Sequence, residues 1–177
     1  MPTSRLVADI IDNIRRVFQV INEQSKRAER ETGLTGPQLW AIKIISESAP
    51  LKLSELARRM YLHPATVVGI IDRLEGRDYV TRTRSQEDRR VVEINLTPQG
   101  KKLVEHAPEV AQGLLVKGLE PLPEEMLVKI YDGLDQLVTI LGAQEMLPRL
   151  FLSPEMNVPP QDTSPDEASS PTNEKSP

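Results

Sequence analysis

The sequence predicts a mainly α-helical fold with one small β hairpin, in which a short pair of helices and the hairpin sit between long terminal helices. Three observations predict it. Apolar residues recur at steps of three and four through most of the chain, the spacing that gathers them on one face of a helix. Between residues 80 and 96 the period shortens to two, as in a half-buried strand. Aromatics make up only 3% of the 177 residues, so the core has to be built from Leu, Ile, Val, Ala and Met.

The first helix is read from Leu6, Ile10, Ile14, Val17 and Ile21, widened by Val7, Ile11 and Phe18, and spans Ser4 to Thr32. Gly33 ends it. Thr35, with Gln38 three residues on, matches a capping box for a second helix carrying Leu39, Ile42 and Ile45, with Pro50 beyond its far end. Leu53, Leu56, Ala57 and Met60 give a short third helix. A fourth follows, with Pro64 in its first turn and Val67, Ile71 and Leu74 on its buried side. Only about Tyr61 to His63 separate these two, the short connection of a helix-turn-helix.

Val80–Arg84 and Val91–Leu96 read as two strands, the second turning Val92, Ile94 and Leu96 inward, joined by the polar loop Ser85 to Arg90. Such a hairpin beside a helix-turn-helix is a wing. Thr97 and Pro98 then open a long helix through Leu103, Ala107, Val110 and Leu114, expected to kink at Pro108. A last helix starts near Pro123. Its stripe of Met126 or Leu127, Ile130, Leu134, Leu137 and Leu141 has no partner within so small a domain, so a second subunit is expected to cover it.

Residues 1–152 therefore read as one domain, with a winged helix-turn-helix core at about 35–97 and dimerisation helices at about 4–32 and 98–150. Residues 153–177 are rich in Pro, Ser, Thr and acids. Such a segment buries too little apolar surface to offset its ordering entropy, and a disordered acidic tail is expected.

Charge is unevenly placed. The net charge of -4 resides in residues 153–177, where five acids oppose one lysine, so residues 1–152 balance at zero. Between Lys52 and Arg90, nine Lys and Arg face six Asp and Glu, a local excess of +3. A basic footprint over the helix-turn-helix and wing is a nucleic-acid signal that the total conceals.

Several function classes are disfavoured. The absence of cysteine excludes disulfides, thiolate zinc sites, thiol nucleophiles and a cysteine peroxide sensor. Two histidines and no glycine-rich phosphate loop leave little from which to assemble a catalytic or cofactor site. No enzyme activity, cofactor or metal is expected. No apolar run approaches the roughly 18 residues of a membrane span, and a cytoplasmic protein without membrane contact is expected.

The second helix of a helix-turn-helix puts its N-terminal part into the major groove, so its outer face must reach base edges. Here the expected outer face is Ala65, Thr66, Gly69 and Arg73, with His63 and Pro64 at the helix start, where His63 can cap the helix or contact phosphate. Ala, Thr and Gly also suit a face that touches nothing. The wing alters that balance, because Arg82, Arg84, Arg89 and Arg90 fall within nine residues. Arginine enters a narrow minor groove or pairs with phosphate, and Asp88 among them suits a local role, bonding loop amides or orienting an arginine.

The stretch LSELARRMYLHPATVVGIIDRLEGRDYVTRTRSQEDRRVVEINLTPQGKKL resembles the winged-helix core of the MarR family of bacterial and archaeal regulators. Asp88, Arg90, Leu96, Thr97 and Gly100 stand at the spacing of that family's wing-and-following-helix signature. The resemblance implies a homodimer with intertwined terminal helices and two lobes on a pseudo-palindromic site. It further implies Thr66 in the major groove, Arg90 in the minor groove and Asp88 steadying the wing. Gly69 stands where many members carry a longer polar or basic side chain. Asp78 replaces the usual glycine before the wing, in a left-handed turn that Asp tolerates better than most residues.

Many members release DNA when a small phenolic or other anionic compound enters a pocket between the dimer helices and the DNA lobe. Phe18, Trp40 and His106 are the candidates to line one here, although core packing is the simpler role for Phe18 and Trp40 and a surface position for His106. The expected function is a sequence-specific double-stranded DNA-binding transcriptional regulator, a ligand-responsive repressor acting as a homodimer. The alternative is a winged-helix adaptor that binds protein without specific DNA binding, and the salt dependence of DNA affinity separates the two.

Overall fold

A computed structural model describes residues 3–85, 88, 91–151 and 153 of the chain. The elements run α1 (Thr3–Thr32), α2 (Gly36–Ser48), β1 (Leu51–Lys52), α3 (Leu53–Arg59), α4 (Pro64–Glu75), β2 (Val80–Arg84), β3 (Val92–Leu96), α5 (Pro98–Glu105), α6 (Ala111–Leu119) and α7 (Glu124–Ile140). The expected tail, Ser153 apart, lies outside the described residues, as do Arg89 and Arg90.

Local signals set the helix ends. Gly33, at φ +68°, stops α1 in the left-handed conformation that glycine adopts without steric cost. At the start of α2 the Gln38 side chain accepts the Thr35 N–H at 3.3 Å. The reciprocal contact to the Thr35 hydroxyl forms only loosely, and that buried hydroxyl lacks a full hydrogen bond. Pro64 occupies the first turn of α4, where its missing N–H costs nothing.

A mainly α fold with a small wing is what results. The sheet has three antiparallel strands in the order β1-β3-β2, with Leu51 opposite Ile94 on one side and Arg82 opposite Ile94 on the other. β1 is an addition to the sequence reading, since two residues are too few to show a period. Along β3, Ile94 is fully buried and Leu96 half-buried, but Val92 is 40% exposed. The inward alternation therefore fails at Val92, where the hairpin has run past the core.

The helix expected to kink at Pro108 is broken instead: α5 ends at Glu105 and α6 begins at Ala111. Pro108 has no N–H to give the Val104 carbonyl, which the Ala107 N–H takes at 3.2 Å in a tighter turn. Proline also disfavours helical backbone at the residue before it.

The core lies where α2, α3 and α4 meet the sheet. Leu39, Ile42, Ile45, Leu56, Ile70, Ile71, Leu74 and Ile94 are each fully buried, and each such side chain contributes about 1.5–3 kcal/mol relative to exposure. In contrast, α1 buries only Ser25 and Ala28, and α7 buries nothing. Leu6, Val17 and Phe18 on α1 and Met126, Tyr131 and Leu134 on α7 are 46–67% exposed.

Candidate nucleic-acid interface

α4 is held from beneath by Val67, Ile70, Ile71 and Leu74, all fully buried, and its first residues, Pro64 and Ala65, are exposed. His63 is the N-cap: its Nδ1 accepts the Ala65 N–H at 3.2 Å. Capping is thus one role of the two that the sequence left open for this histidine. The helix is entered through a tight turn in which Tyr61 has φ +52°.

The outward face keeps Ala65, Gly69 and Arg73 of the expected one, but Val68 and Asp72 stand on it in place of Thr66. Pro64, Ala65, Val68, Asp72 and Arg73 are exposed and Gly69 is half-buried, whereas Thr66 is only 9% exposed. Positions 65, 68, 69, 72 and 73 form the outer stripe at helical spacing; Thr66 turns inward with Ile70, one turn on. Val68, 40% exposed, was missed as a surface residue because its type suggested core. Over Gly69, the Arg73 guanidinium folds back, with Nη1 3.4 Å from the Gly69 carbonyl.

Arg82 has partners within the protein that the sequence reading did not include. Its guanidinium lies 2.6 Å from Asp72 and 2.6 Å from Glu75, and its side chain is 25% exposed. It also donates to the Val68 carbonyl at 3.4 Å, while its own N–H donates to Glu75 at 3.2 Å. An arginine between two carboxylates is engaged with the protein. Arg84, two residues on along the same strand, is exposed.

At the end of the wing, the Ser85 N–H donates to the Val91 carbonyl and the Val91 N–H to the Asp88 carbonyl, both at 2.9 Å. These bonds close the loop base, with Asp88 exposed.

The stem of the wing is fixed by the residues of the signature. Thr97 caps α5 by accepting the Gly100 N–H at 2.9 Å, and its hydroxyl donates to the Asp78 carbonyl. The Thr97 N–H donates to the Tyr79 carbonyl at 3.1 Å. A Cβ on Gly100 would stand 2.0 Å from that same carbonyl oxygen, so this position requires the absence of a side chain. Asp78, at φ +60°, is the left-handed residue that ends α4, with the Tyr79 N–H bonded to the Leu74 carbonyl at 3.0 Å and the Asp78 N–H to Glu75 at 2.9 Å.

With this geometry in place, comparison with known proteins is decisive. A family model described as MarR family matches residues 34–92. The chain is 30% identical over 125 residues to the HTH-type transcriptional repressor MdtR of Bacillus subtilis (strain 168), covering 71% of this chain and 81% of that protein. The chain belongs to the MarR family. It is also 30% identical over 121 residues to the organic hydroperoxide resistance transcriptional regulator of the same organism, covering 68% and 81%. The crystal structure of the transcriptional regulator BldR from Sulfolobus solfataricus aligns with a TM-score of 0.50 at 23% identity, over 79% of this chain and 99% of that one, a likeness of fold.

In this MarR-family winged-helix regulator the three candidate ligand residues do not meet. Phe18 is 63% exposed on α1, His106 is exposed at the end of α5, and Trp40 is 9% exposed between them. Trp40 alone lines cavities at the junction of the DNA lobe and α6. One, of about 250 Å³, is bordered by Lys43, Glu47, Arg59, Glu109, Lys117 and Glu120, in which Lys43 pairs with Glu109 at 3.2 Å and Arg59 with Glu47 at 3.0 Å. The other, of about 210 Å³, is lined by Met60 and Leu62 from the helix-turn-helix and by Leu115, Val116, Leu150 and Phe151, with Arg149 and Gln112 as its polar members.

Two surface interactions shift pKa values nearby. The Arg58 guanidinium hydrogen-bonds Glu55 and holds its carboxyl below the ordinary range. The Tyr61 hydroxyl donates to the Glu120 carboxylate at 2.9 Å, which raises the phenol pKa and joins the helix-turn-helix to α6. Among the described residues no cluster of three His, Asp or Glu side chains is placed to hold a metal, and no helix is long and apolar enough to cross a membrane.

Proposed function

We propose that this regulator binds double-stranded DNA sequence-specifically as a homodimer, with α4 in the major groove and the wing against the minor groove and backbone. The observation that carries the reading is the projection of the α4 face Ala65–Val68–Gly69–Arg73 beside a wing bearing exposed Arg84. His63 and Pro64 at the helix start face phosphate, the sequence adds the charges of Arg89 and Arg90 to that of Arg84, and Asp88 steadies the wing. Thr66, mostly buried, supports the helix; the base-edge contacts fall to Ala65, Val68 and Arg73, the first two suited to thymine methyl groups. The exposed apolar residues of α1 and α7 support the homodimer, because so much unpaired apolar surface is unusual on a monomer. Two lobes related by a twofold axis then meet two half-sites of a pseudo-palindrome. The chain acts in the cytoplasm, as a repressor, without catalysis.

Arg90→Ala and Arg84→Ala test the wing. Each is expected to weaken binding to selected and scrambled duplexes alike and to make the slope of log affinity on log salt shallower by about 0.9 per lost phosphate contact. Unchanged affinity and slope in both variants would remove the wing from the interface.

The same reading extends to an effector. The cavity lined by Met60, Leu62, Leu115, Val116 and Trp40 suits a one-ring apolar body, with Arg149 as partner for an anionic or phenolic group. A ligand there would touch Met60 and Leu62 of the helix-turn-helix and Leu115 and Val116 of α6 at once, and so bias the spacing of the two lobes. Trp40 is the only tryptophan of the chain, so benzoate binding should alter its fluorescence. The absence of any change up to millimolar benzoate would contradict this ligand class. Since the chain has no cysteine, a thiol does not serve as its sensor.

A further inference from the structure

We propose that Arg82 is a positioning residue that clamps the wing to the recognition helix without touching DNA, a role that rests on the DNA-binding reading above. Its three partners on α4, the Val68 carbonyl and the carboxylates of Asp72 and Glu75, lie at i, i+4 and i+7, along one stripe of the helix. One guanidinium therefore spans two helical turns. Glu75 grips residue 82 twice, accepting its backbone N–H at 3.2 Å through one oxygen and its guanidinium at 2.6 Å through the other. The planar fork of arginine serves several acceptors at once, which the point charge of lysine cannot match.

The clamp acts where the two DNA-facing elements diverge. Arg82 pairs in the sheet with fully buried Ile94, so its backbone is anchored to the core. Arg84 lies two residues farther along β2, on the same face of the hairpin by strand periodicity and about 7 Å away. Fixing Arg82 against α4 thus fixes where Arg84 emerges relative to Ala65, Val68 and Arg73. To reach phosphate, Arg82 would have to abandon two charge-assisted bonds and leave Asp72 and Glu75 uncompensated beside a polyanion.

The experiment measures anisotropy of the full-length protein on two labelled duplexes, one recovered from a random pool by the wild-type protein and one with that sequence scrambled. The variants are Arg82→Gln, Arg82→Lys and the neutral triple variant Arg82→Gln with Asp72→Asn and Glu75→Gln. With folding checked by circular dichroism, Arg82→Gln is expected to lose about tenfold on the selected duplex, equivalent to about 1.4 kcal/mol. Loss on the scrambled duplex should be clearly smaller, limited to the repulsion of the two carboxylates left uncompensated, with the wild-type salt slope. The triple variant should regain affinity for both duplexes alike, because it removes the uncompensated carboxylates, but should not regain the selected-over-scrambled ratio, because neutralising them does not restore the clamp.

Arg82→Lys keeps the charge and the fold, and should still lose selectivity; if Arg82→Gln does not fold, this variant decides the matter. Equal losses on both duplexes with a slope shallower by about 0.9 would make Arg82 a phosphate contact and overturn the proposal. Wild-type selectivity in the triple variant, or in Arg82→Lys, would also overturn it. Wild-type protein that recovers no duplex at all contradicts the DNA-binding reading itself, an outcome separate from any of these.

Discussion

Gly100→Ala puts the physical basis of the Leu96-Thr97-Gly100 signature to the test. A Cβ at this position stands 2.0 Å from the Tyr79 carbonyl oxygen and 3.0 Å from its carbon. Both are main-chain atoms, so no rotamer change relieves the clash and the strand entry must retreat by about 1 Å. The carbonyl concerned also accepts the Thr97 N–H at 3.1 Å, and Thr97 in turn caps α5 and bonds Asp78. Overpacking costs about 1–3 kcal/mol, and weakening a buried backbone bond about 1–3 more. The sum, roughly 2–6 kcal/mol, lowers Tm by about 4–24 °C in a chain of this length. Thermal unfolding followed by circular dichroism reads it, with Gly118→Ala as control, since a Cβ there meets nothing within 4 Å. The control should melt at or above the wild-type temperature, because alanine restricts the unfolded chain and favours helix. Should Gly100→Ala melt within about 2 °C of wild type, close approach to Tyr79 is not the reason for this glycine.

Other outcomes follow from the same geometry. Asp78→Gly relieves a left-handed backbone at φ +60° and should stabilise by up to about 1 kcal/mol in denaturant unfolding, while Asp78→Val should destabilise. Leu134→Asp places a charge in the exposed stripe of α7, where Leu134 is 58% exposed, and sedimentation should show a monomer at concentrations where wild type is dimeric. A wild-type monomer at micromolar concentration would contradict the dimer and the two-half-site arrangement. For Tyr61 the folded pKa is raised by its bond to Glu120. Its contribution is therefore fully present below the ordinary tyrosine pKa and lost as pH rises through the folded value. Ultraviolet titration should show one tyrosine ionising late, and Glu120→Gln should abolish that delay.

How much of this was legible depended on whether the determining interaction was local. Thr35 with Gln38, Pro64, and Thr97 with Pro98 announce helix starts because cap and helix lie within four residues of each other. The left-handed turn at Asp78 was legible only through the family resemblance, in which a glycine is usual there. The ion pairs of Arg82 were not foreseen because its partners on α4 lie 7 and 10 residues away. Composition sees a basic strand, and only the packing of β2 against α4 shows that its charge is spent internally. The one usable hint was a pair of acids at helical spacing, Asp72 and Glu75, just before that strand. Thr66 was placed outward because a hydroxyl suits water, yet helical phase sets its direction. Phe18, Trp40 and His106 were grouped by chemistry alone, and nothing local could reveal that α1, α2 and α5 hold them apart. The bond from Tyr61 to Glu120, 59 residues apart, left no trace in the sequence at all.

The central claim, that this fold reads DNA sequence through α4 and its wing, is tested most directly by the salt dependence of wild-type affinity for a duplex selected from a random pool and for its scrambled counterpart. The account predicts affinity that falls linearly on a log-log plot for both, steeply enough to report several phosphate contacts, with the selected duplex bound about a thousandfold or more tighter throughout. Equal affinities for the two duplexes, or a slope near zero, would contradict it and leave the winged helix as a protein-binding module.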